Sequence, residues 1–374
     1  MKRTGVLNPG SFMEPVHRLM MAAIENQVFP GGVLLASKNG SLVFFEAFGL
    51  ADIYTGEKAG KETVYDLASL TKPLATTLAV MDLVKADHLT LDTRISEILP
   101  EYEDTDKRAI TMGHLLSHTA GLPDYLPYYK EIKGNTISER KKDLRRLLQK
   151  IPLQYPLGRQ AHYGDPGFMI LNHVIETVSR ERLDGFVSKK IYGPLGVDPV
   201  NGLFFVDLES GPHDGVRFAA TERCPWRGRL IKGEVHDENA YRVGGIEGHA
   251  GLFGKAGAVH ALLSGLLAMY GDDMQNPLFS PDMMELFFRE HEKTGRTLGF
   301  DMPSPEGSSA GKYFSRNTVG HLGFSGTSFW MDLDRRIIIV LLTNRIHPTR
   351  ENTKIKSFRS ILHNALMIEL QGVT

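Results

Sequence analysis

The chain has 374 residues, of which 42% are hydrophobic and 23% are charged, so it is long enough for a large core and for two subdomains. Its formal net charge of −1 excludes the excess of positive charge that is typical of a protein that binds nucleic acid or an anionic membrane. Cys224 is the only cysteine, which excludes an internal disulfide, and no segment approaches the ~20 apolar residues of a membrane-spanning helix.

The N-terminal region is predicted to form a helix followed by a β-hairpin. Residues 12–27 have the spacing of an amphipathic helix. Two apolar runs, 32–37 and 42–48, then flank Asn39-Gly40, which is the strongest short signal for a hairpin turn. The extreme N-terminus lacks the apolar segment of a signal peptide, so we expect a cytoplasmic protein, or an exported one if a leader has been removed.

Ser69-Leu-Thr-Lys72 opens the next predicted helix and is the most informative segment of the chain. Apolar residues recur at helical spacing through 67–84, so Ser69 and Lys72 share one face. A serine becomes a nucleophile when a base takes its proton, and a lysine can do so if its pKa is lowered. The alternative is a serine N-cap with a surface lysine. The same spacing recurs at Ser138 and Lys141, in a charged stretch typical of a solvated helix face.

The middle of the chain is mostly helical in its spacing, from about residue 73 to residue 200. A segment rich in glycine and polar residues follows, over about 202–251, and a loop of that length is more often functional than idle. Nearer the C-terminus, 328–333 and 337–343 flank a second hairpin turn, and 353–370 has the spacing of a helix.

This order of elements predicts two domains. We expect a sheet domain formed by 1–72 and 252–374, because strands are predicted near both ends of the chain. A mainly helical domain, 73–251, is inserted between the two halves. Its last part, about 202–251, is expected to form a long loop at the rim of the active site.

Three other features have ordinary structural explanations. His114 and His118 have the i, i+4 spacing of a zinc helix without the glutamate of a metalloprotease, so we interpret them as capping or core histidines. Gly307-Ser-Ser-Ala-Gly311 matches a nucleophile elbow, but the residues before it contain prolines where a strand is needed. Cys224 has a basic setting and no apparent acid–base partner. We therefore predict no metal and no cofactor.

Two later segments carry polar side chains where an element begins. Tyr163 and Asp165 precede the apolar helix predicted over 169–178, where a phenol and a carboxylate can project into a cleft. The alternative is an ordinary tyrosine with Asp165 as an N-cap. The segment from Gly320 to Trp330, which contains His321-Leu-Gly323, is predicted to start a strand. Its close-spaced glycines let a ligand lie against the backbone, although a histidine alone is more often structural.

Three segments, taken in chain order, resemble the motifs of the serine β-lactamase and penicillin-binding protein superfamily. They are Ser69-Leu-Thr-Lys72, Tyr163-Gly-Asp165 and His321-Leu-Gly323. The likeness is to its class C-like branch of esterases, D-Ala-D-Ala carboxypeptidases and muropeptide amidases, and it spans about residues 15–370. It implies an α/β (α+β) fold of the β-lactamase/transpeptidase type. In that fold an antiparallel sheet from both termini is flanked by helices, and the active site lies between the sheet and the inserted helical domain.

The resemblance also implies catalytic roles. Ser69 attacks a carbonyl to form an acyl-enzyme, and Lys72 and Tyr163 share the general-base and general-acid work. His321 is expected to donate to the Tyr163 phenolate or to a substrate carboxylate. The backbone N–H groups of Ser69 and Phe324 hold the oxyanion.

Further residues are expected to bind substrate, on the strength of stretches that resemble the family at the end of the last strand and over 235–253. The predicted substrate-binding residues are Asp165, Gly323, Asn344, Arg345, His236, Glu238, Asn239 and His249. For the last four, a hydrogen-bonded network that pins the loop is an equally good interpretation.

Two departures from the family pattern bear on activity. Asp165 stands where most members have asparagine, which changes the field near Lys72, and His321 replaces the lysine of lactamases. We expect a serine hydrolase that cleaves a small amide or ester, such as a cell-wall-derived muropeptide, with little β-lactamase activity. The alternatives are a promiscuous carboxylesterase and a catalytically silent peptide-binding or sensor homologue. The expected partner is a small-molecule substrate, with no nucleic acid and no membrane span.

Overall fold

The computed structural model describes residues 13–211, 215–291 and 295–371. The α-helices are Glu14–Glu25 (α1), Leu78–Lys85 (α2), Ile95–Ile98 (α3), Met112–Leu116 (α4), Ile137–Gln149 (α5), Pro166–Ser179 (α6), Leu183–Val187 (α7), Glu238–Arg242 (α8), Ala256–Tyr270 (α9), Pro281–Phe288 (α10) and Ile355–Gln371 (α11). The strands are Gly31–Lys38 (β1), Ser41–Asp52 (β2), Glu57–Lys58 (β3), Tyr65–Asp66 (β4), Leu203–Phe205 (β5), Arg223–Cys224 (β6), Arg229–Leu230 (β7), Leu252–Gly254 (β8), Thr318–Leu322 (β9), Ser328–Asp332 (β10) and Ile337–Thr343 (β11). Short 3₁₀ segments lie at Ala68–Leu70, Pro100–Tyr102 and Tyr128–Lys130, and π-helical segments at Lys72–Thr77 and Ser188–Tyr192.

The central sheet has six antiparallel strands in the order β3-β2-β1-β11-β10-β9. The first and last parts of the chain meet in its middle, where β1 pairs with β11 from Gly32 opposite Thr343 to Lys38 opposite Ile337. Both predicted hairpins form, β1 with β2 and β10 with β11. β9 is left at one edge of the sheet, where it packs beside the Ala68–Leu70 segment and its His321 lies next to Tyr163. We call this region the cleft.

The two faces of the sheet are covered by different helices, which explains why every residue of β11 is buried. Alternate residues of β11 enter different cores, since successive side chains point to opposite faces. Leu341 packs in the cluster that contains residues of α1 and α11, and Leu342 packs in the larger cluster that contains residues of α9 and the helical region. The predicted N-terminal and C-terminal helices correspond to α1 and α11; the predicted start at Phe12 lies outside the described residues.

The chain between the two halves of the sheet carries α2 to α7, as the helical spacing predicts. The segment that begins at Ser69 is less regular than the predicted helix. It starts as a 3₁₀ turn, continues as a π-helical stretch over Lys72–Thr77, and becomes α-helical at Leu78. Pro73 explains the change, because a proline has no N–H for the bond of an α-helix and a widened turn accommodates it.

A small three-stranded sheet, β4-β8-β5, joins the segment before Ser69 to the segment after the long polar stretch. That stretch, predicted as a loop over about 202–251, contains β5, β6, β7 and α8, so the prediction of a single long loop is wrong. Among the described residues, no helix combines the length and the apolar character that crossing a bilayer requires.

Candidate active site

Ser69 lies in a tight turn that is fixed on both sides. The Ala68 N–H donates to Asp66 Oδ1 at 2.8 Å, and the Thr71 hydroxyl donates to the Ala68 carbonyl at 2.6 Å. Ala68 has a φ of 49°, in the left-handed region that residues other than glycine rarely adopt. Strain of this kind persists where the surroundings impose it and is common at functional sites.

Lys72 is fully buried and directs its amine at three acceptors. Its Nζ lies 2.9 Å from Ser69 Oγ, 2.8 Å from Asp165 Oδ1 and 3.3 Å from the carbonyl oxygen of His249. Burial alone would lower the pKa of Lys72, but the negative charge of Asp165 and the contact with Tyr163 raise it above its ordinary value. Lys72 is therefore an ammonium group at neutral pH, and its three hydrogens each have an acceptor.

Tyr163 completes the group around Ser69. Its hydroxyl lies within hydrogen-bonding reach of Ser69 and Lys72, and the Lys72 Nζ is 4.9 Å from the centre of its ring. Enclosure raises the pKa of Tyr163 above its ordinary value, against the opposing effect of Lys72. The negative charge of Asp165 raises it further.

His118, which the sequence suggested only as a core or capping residue, supports the Tyr163 loop. Its ring centre lies 4.7 Å from that of Tyr163, and its Nδ1 accepts the Gly164 N–H at 3.3 Å. Burial lowers the pKa of His118 well below its ordinary value, so the ring is neutral and Nδ1 is free to accept. His114 instead caps the start of α4 through Thr111, so the two histidines do not share a metal-binding role.

His321 is buried beside Tyr163, with 5.8 Å between the ring centres. Its Nδ1 lies 2.9 Å from the carbonyl oxygen of Leu322, so Nδ1 carries the hydrogen. Burial lowers the pKa of His321 to about 4, so its Nε2 is an acceptor at neutral pH. The expectation that this ring donates to the phenolate or to a substrate carboxylate is therefore corrected: in the neutral tautomer it accepts.

The segment Gly323–Thr327, which connects β9 and β10, lies against the turn that carries Ser69. We call it the oxyanion turn. The hydroxyls of Ser325 and Thr327 donate to the carbonyl oxygens of Asp66 and Leu67, at 2.7 and 3.1 Å. The backbone N–H groups of Ser69 and Phe324 donate to no acceptor among the described residues. Both are thus available to a substrate oxygen.

Gly323 has a packing role in this arrangement. A Cβ at this position would overlap the Thr327 hydroxyl and would lie 2.7 Å from the Leu67 carbonyl oxygen. The glycine is required because the oxyanion turn approaches the backbone before Ser69 this closely. Its predicted contact with substrate is therefore secondary to its effect on the backbone.

Three of the predicted substrate-binding side chains form hydrogen bonds with backbone groups of the protein. Asn344 accepts the Gly31 N–H at 2.9 Å and donates to the carbonyls of 50 and 51. Arg345 donates to the carbonyls of 324, 350 and 352. Asn239 is fully buried and joins the backbone at 126 and 129. The polar atoms of Asn344 and Asn239 hold loops together, which argues against their assignment as substrate ligands. Arg345 uses its Nε and Nη1 in the same way, and its role toward substrate stays a prediction.

The other residues of 235–249 form a network, which was the alternative interpretation. The side chain of His236 contacts Glu222 at 3.0 Å, and Glu222 and Glu238 both receive the guanidinium of Arg350. Burial raises the pKa of Glu222, but hydrogen bonds from His236 and Arg350 bring it down to about 2. The ring of His236 also stacks on Phe324, with 5.7 Å between centres. Sequence reasoning missed Arg350, since nothing local marks it.

His249 pairs with Asp237 rather than with substrate, through Nε2 to Oδ1 at 2.9 Å. Burial lowers the pKa of His249, but the Asp237 carboxylate outweighs it and raises the pKa above its ordinary value. Asp237 also accepts the Ala240 N–H and so caps α8. This pair holds in place the His249 residue whose carbonyl oxygen accepts a hydrogen bond from the Lys72 amine.

Two clusters of possible metal ligands lie beside the site, each with ligand atoms within 4.8 Å of one another: Asp165, Asp237 and His249 in the first, and Glu222, Cys224 and Glu238 in the second. Each cluster already contains a cationic side chain. The Lys72 amine lies 2.8 Å from Asp165, and the Arg350 guanidinium lies 2.5 Å from Glu238. These contacts account for the negative charge without a metal.

The fold and the site together define a serine hydrolase with the architecture of β-lactamases and penicillin-binding proteins. The chain matches the family model described as Beta-lactamase over residues 16–359, and it belongs to that family. The predictions of fold, family and enzyme class are confirmed.

Two relatives indicate the range of activities in this part of the family. An Escherichia coli (strain K12) protein provisionally named D-alanyl-D-alanine carboxypeptidase is 30% identical over 351 residues, 85% of this chain and 79% of that protein. The N-acetylmuramyl-L-alanine amidase of Bacillus subtilis (strain 168) is 31% identical over 349 residues, 85% of this chain and 78% of that protein. The solved structure of EstCE1, described as a hydrolase with promiscuous acyltransferase activity, has a TM-score of 0.73 at 22% identity and covers 94% of this chain and 99% of that one, which shows the shared fold.

Proposed function

We propose that Ser69 is the nucleophile of an amide- or ester-cleaving enzyme and that the reaction proceeds through a Ser69 acyl-enzyme. The observation that carries this proposal is the 2.9 Å contact of Ser69 Oγ with Lys72 Nζ, with the Tyr163 hydroxyl within reach of both. A nucleophile needs a proton acceptor, and a charge that stabilises that acceptor, within this distance. The backbone N–H groups of Ser69 and Phe324, which have no acceptor within the described part of the chain, suit the oxyanion that forms on attack.

Tyr163 is the proton acceptor in this proposal, and Lys72 stabilises it as a cation. The Lys72 ammonium directs its three hydrogens at three acceptors, so it has no lone pair for the Ser69 proton. The reacting form of Tyr163 is the phenolate, which is a minor species at neutral pH because enclosure raises the pKa of Tyr163, and which the adjacent Lys72 ammonium stabilises. Ser69 Oγ bonds to the substrate carbonyl carbon as its proton passes to this phenolate, and the carbonyl oxygen becomes the oxyanion. Tyr163 then returns that proton to the leaving nitrogen or oxygen as the bond between that atom and the carbonyl carbon breaks. Water repeats the sequence on the acyl-enzyme and releases Ser69.

The substrate proposed is a small cell-wall-derived peptide, with amidase rather than carboxypeptidase specificity. A carboxypeptidase must hold the free carboxylate beside the scissile bond. Arg345, the cation expected for that purpose, donates through Nε and Nη1 to backbone carbonyls, which leaves only its Nη2 without such a bond among the described residues. Arg296 lies 5.8 Å from the Tyr163 ring but is already paired with Asp301 at 2.9 Å. The similarity to the muramyl amidase supports this choice.

We further propose that the enzyme acts in the cytoplasm on a small-molecule substrate and has no nucleic-acid partner. The net charge of −1 supports the second part. The single Cys224 is buried and unpaired, as is usual in a reducing compartment.

A substrate panel with Ser69→Ala as the blank tests the proposal. The panel contains p-nitrophenyl esters, an N-acetylmuramyl-L-alanyl peptide and a peptide ending in D-Ala-D-Ala. We expect Ser69-dependent turnover of the esters and of the muramyl amide, with little release of terminal D-Ala. Faster release of D-Ala than of the muramyl group would overturn the amidase assignment. Turnover that survives in Ser69→Ala would overturn the proposed mechanism.

A further inference from the structure

The oxyanion turn is backed by two buried arginines, Arg345 and Arg359. The Gly323 carbonyl and the Phe324 N–H belong to one peptide group, and a trans peptide points them in opposite directions. Whatever holds the Gly323 oxygen therefore sets the direction of the Phe324 N–H. That N–H is the second donor proposed for the oxyanion.

Arg359, on α11, holds the Gly323 oxygen. Its Nη2 lies 3.2 Å from the Gly323 oxygen and 2.6 Å from the Thr327 oxygen, and its side chain is buried. The Gly323 N–H also donates to the Thr327 oxygen, at 2.8 Å. One guanidinium thus ties together both ends of the oxyanion turn.

Arg345 holds the following peptide group. Its Nε donates to the Phe324 carbonyl at 2.8 Å, and its guanidinium carbon lies 4.5 Å from the centre of the Phe324 ring. His236 stacks on the same ring. Phe324 is therefore flanked by two peptide groups whose carbonyls both face a buried guanidinium.

A structural role alone does not account for these two arginines, because burying their charge costs free energy. Arg359 makes no ion pair with a described carboxylate, and its Nε is buried without a partner. Burial, together with the like charge of Arg345, lowers the pKa of Arg359 to about 10, which still leaves it charged at neutral pH. Burying a cation without a counter-ion has a large desolvation free energy, and a neutral side chain would fill the same space without that penalty.

We propose that Arg359 and Arg345 are positioning residues of the oxyanion hole. Their charge-assisted bonds to the 323 and 324 carbonyls aim the Phe324 N–H at the cleft and polarise its peptide, which strengthens it as a donor. A donor fixed in advance stabilises developing charge without reorganisation. This inference rests on the proposed role of Ser69.

The test compares Arg359→Met and Arg359→Lys with Leu366→Ala, which changes a buried residue of the same helix that packs in the core shared with α1. On a p-nitrophenyl ester, Arg359→Met is expected to lower kcat roughly 10- to 100-fold, with KM within about twofold, because the lost interaction is made in the transition state. Arg359→Lys keeps the charge but can reach fewer carbonyls, so it should lie between Arg359→Met and the wild type. Leu366→Ala should lower the unfolding temperature and leave kcat within about twofold.

A second measurement uses a boronic acid, whose adduct with Ser69 mimics the tetrahedral oxyanion. Its affinity should fall in parallel with kcat across the arginine variants. An equal loss of kcat in Leu366→Ala at a matched unfolding temperature, or a change in KM alone, would overturn the inference. If Arg359→Met does not fold, the inference is tested by comparing the kcat of Arg359→Lys with that of Leu366→Ala. Activity that survives in Ser69→Ala is a different result, because it removes the proposed function itself.

Discussion

The two sides of the cleft hold their charge in different ways. On the helical side, Lys72 is buried and its charge is balanced within 2.8 Å by Asp165. On the sheet side, Arg359 is buried with no carboxylate partner among the described residues, and its charge is directed at backbone oxygens. Proton transfer needs groups whose charge can change, and a local counter-charge allows that. An oxyanion needs a fixed positive potential, which backbone dipoles backed by a cation supply.

The largest expected effect lies on the helical side, where Lys72 and Tyr163 act as a unit in proton transfer. Lys72→Ala and Tyr163→Phe should each lower kcat by up to about 10⁶, and the double variant should lose little more. Kinetics with a p-nitrophenyl ester, together with unfolding temperatures for all three variants, measure this. If the two losses multiply in the double variant, the residues work in separate steps and the helical side is not one unit.

A smaller effect concerns β-lactams and tests how the charges of the two sides are used. Asp165 adds negative charge near Ser69, His321 is neutral, and Arg345 is directed at carbonyls, so the cleft offers little to hold the carboxylate of an antibiotic. We expect nitrocefin turnover well below that of the p-nitrophenyl esters in parallel assays. A nitrocefin kcat/KM near the ~10⁴–10⁸ M⁻¹s⁻¹ of ordinary enzymes would contradict this and favour a lactamase.

The smallest expected effect is a shift in the pH dependence of kcat/KM. It tests whether the charges on the helical side of the cleft take part in proton transfer. The Asp165 carboxylate raises the pKa of Tyr163, so Asp165→Asn should lower that pKa and let the phenolate form at a lower pH. The acidic limb of the kcat/KM profile should move to lower pH by about one unit. Asp143→Asn, which removes a carboxylate paired with Arg146 on α5, is the matched control and should leave the limb in place. No shift, or a shift to higher pH, would mean that Asp165 is not coupled to the base.

Sequence patterns predicted those parts of the molecule that depend on neighbours along the chain. The turn at Asn39-Gly40 predicted the first hairpin, and continuous apolar runs predicted the two strands that meet at the centre of the sheet. The Ser69–Lys72 contact followed from an i, i+3 spacing that survives even though Pro73 makes the segment π-helical. The boundaries of the two domains stay a prediction.

Contacts between distant segments could not be predicted in this way. Arg359 meets Gly323 across 36 residues, and Arg350 meets Glu222 across 128 residues. Arg345 looked like a substrate ligand because it ends a strand beside the cleft. Its direction depends on carbonyls of two separate loops, which no local pattern specifies.

Identifying the acylated residue is the most direct test of the account. The protein is treated with a fluorophosphonate, its intact mass is measured, and the modified peptide is sequenced by mass spectrometry, with Ser69→Ala as the control. We expect a single adduct, on Ser69, that is absent from Ser69→Ala. An adduct on Ser138 or Ser309, or one that persists in Ser69→Ala, would contradict it.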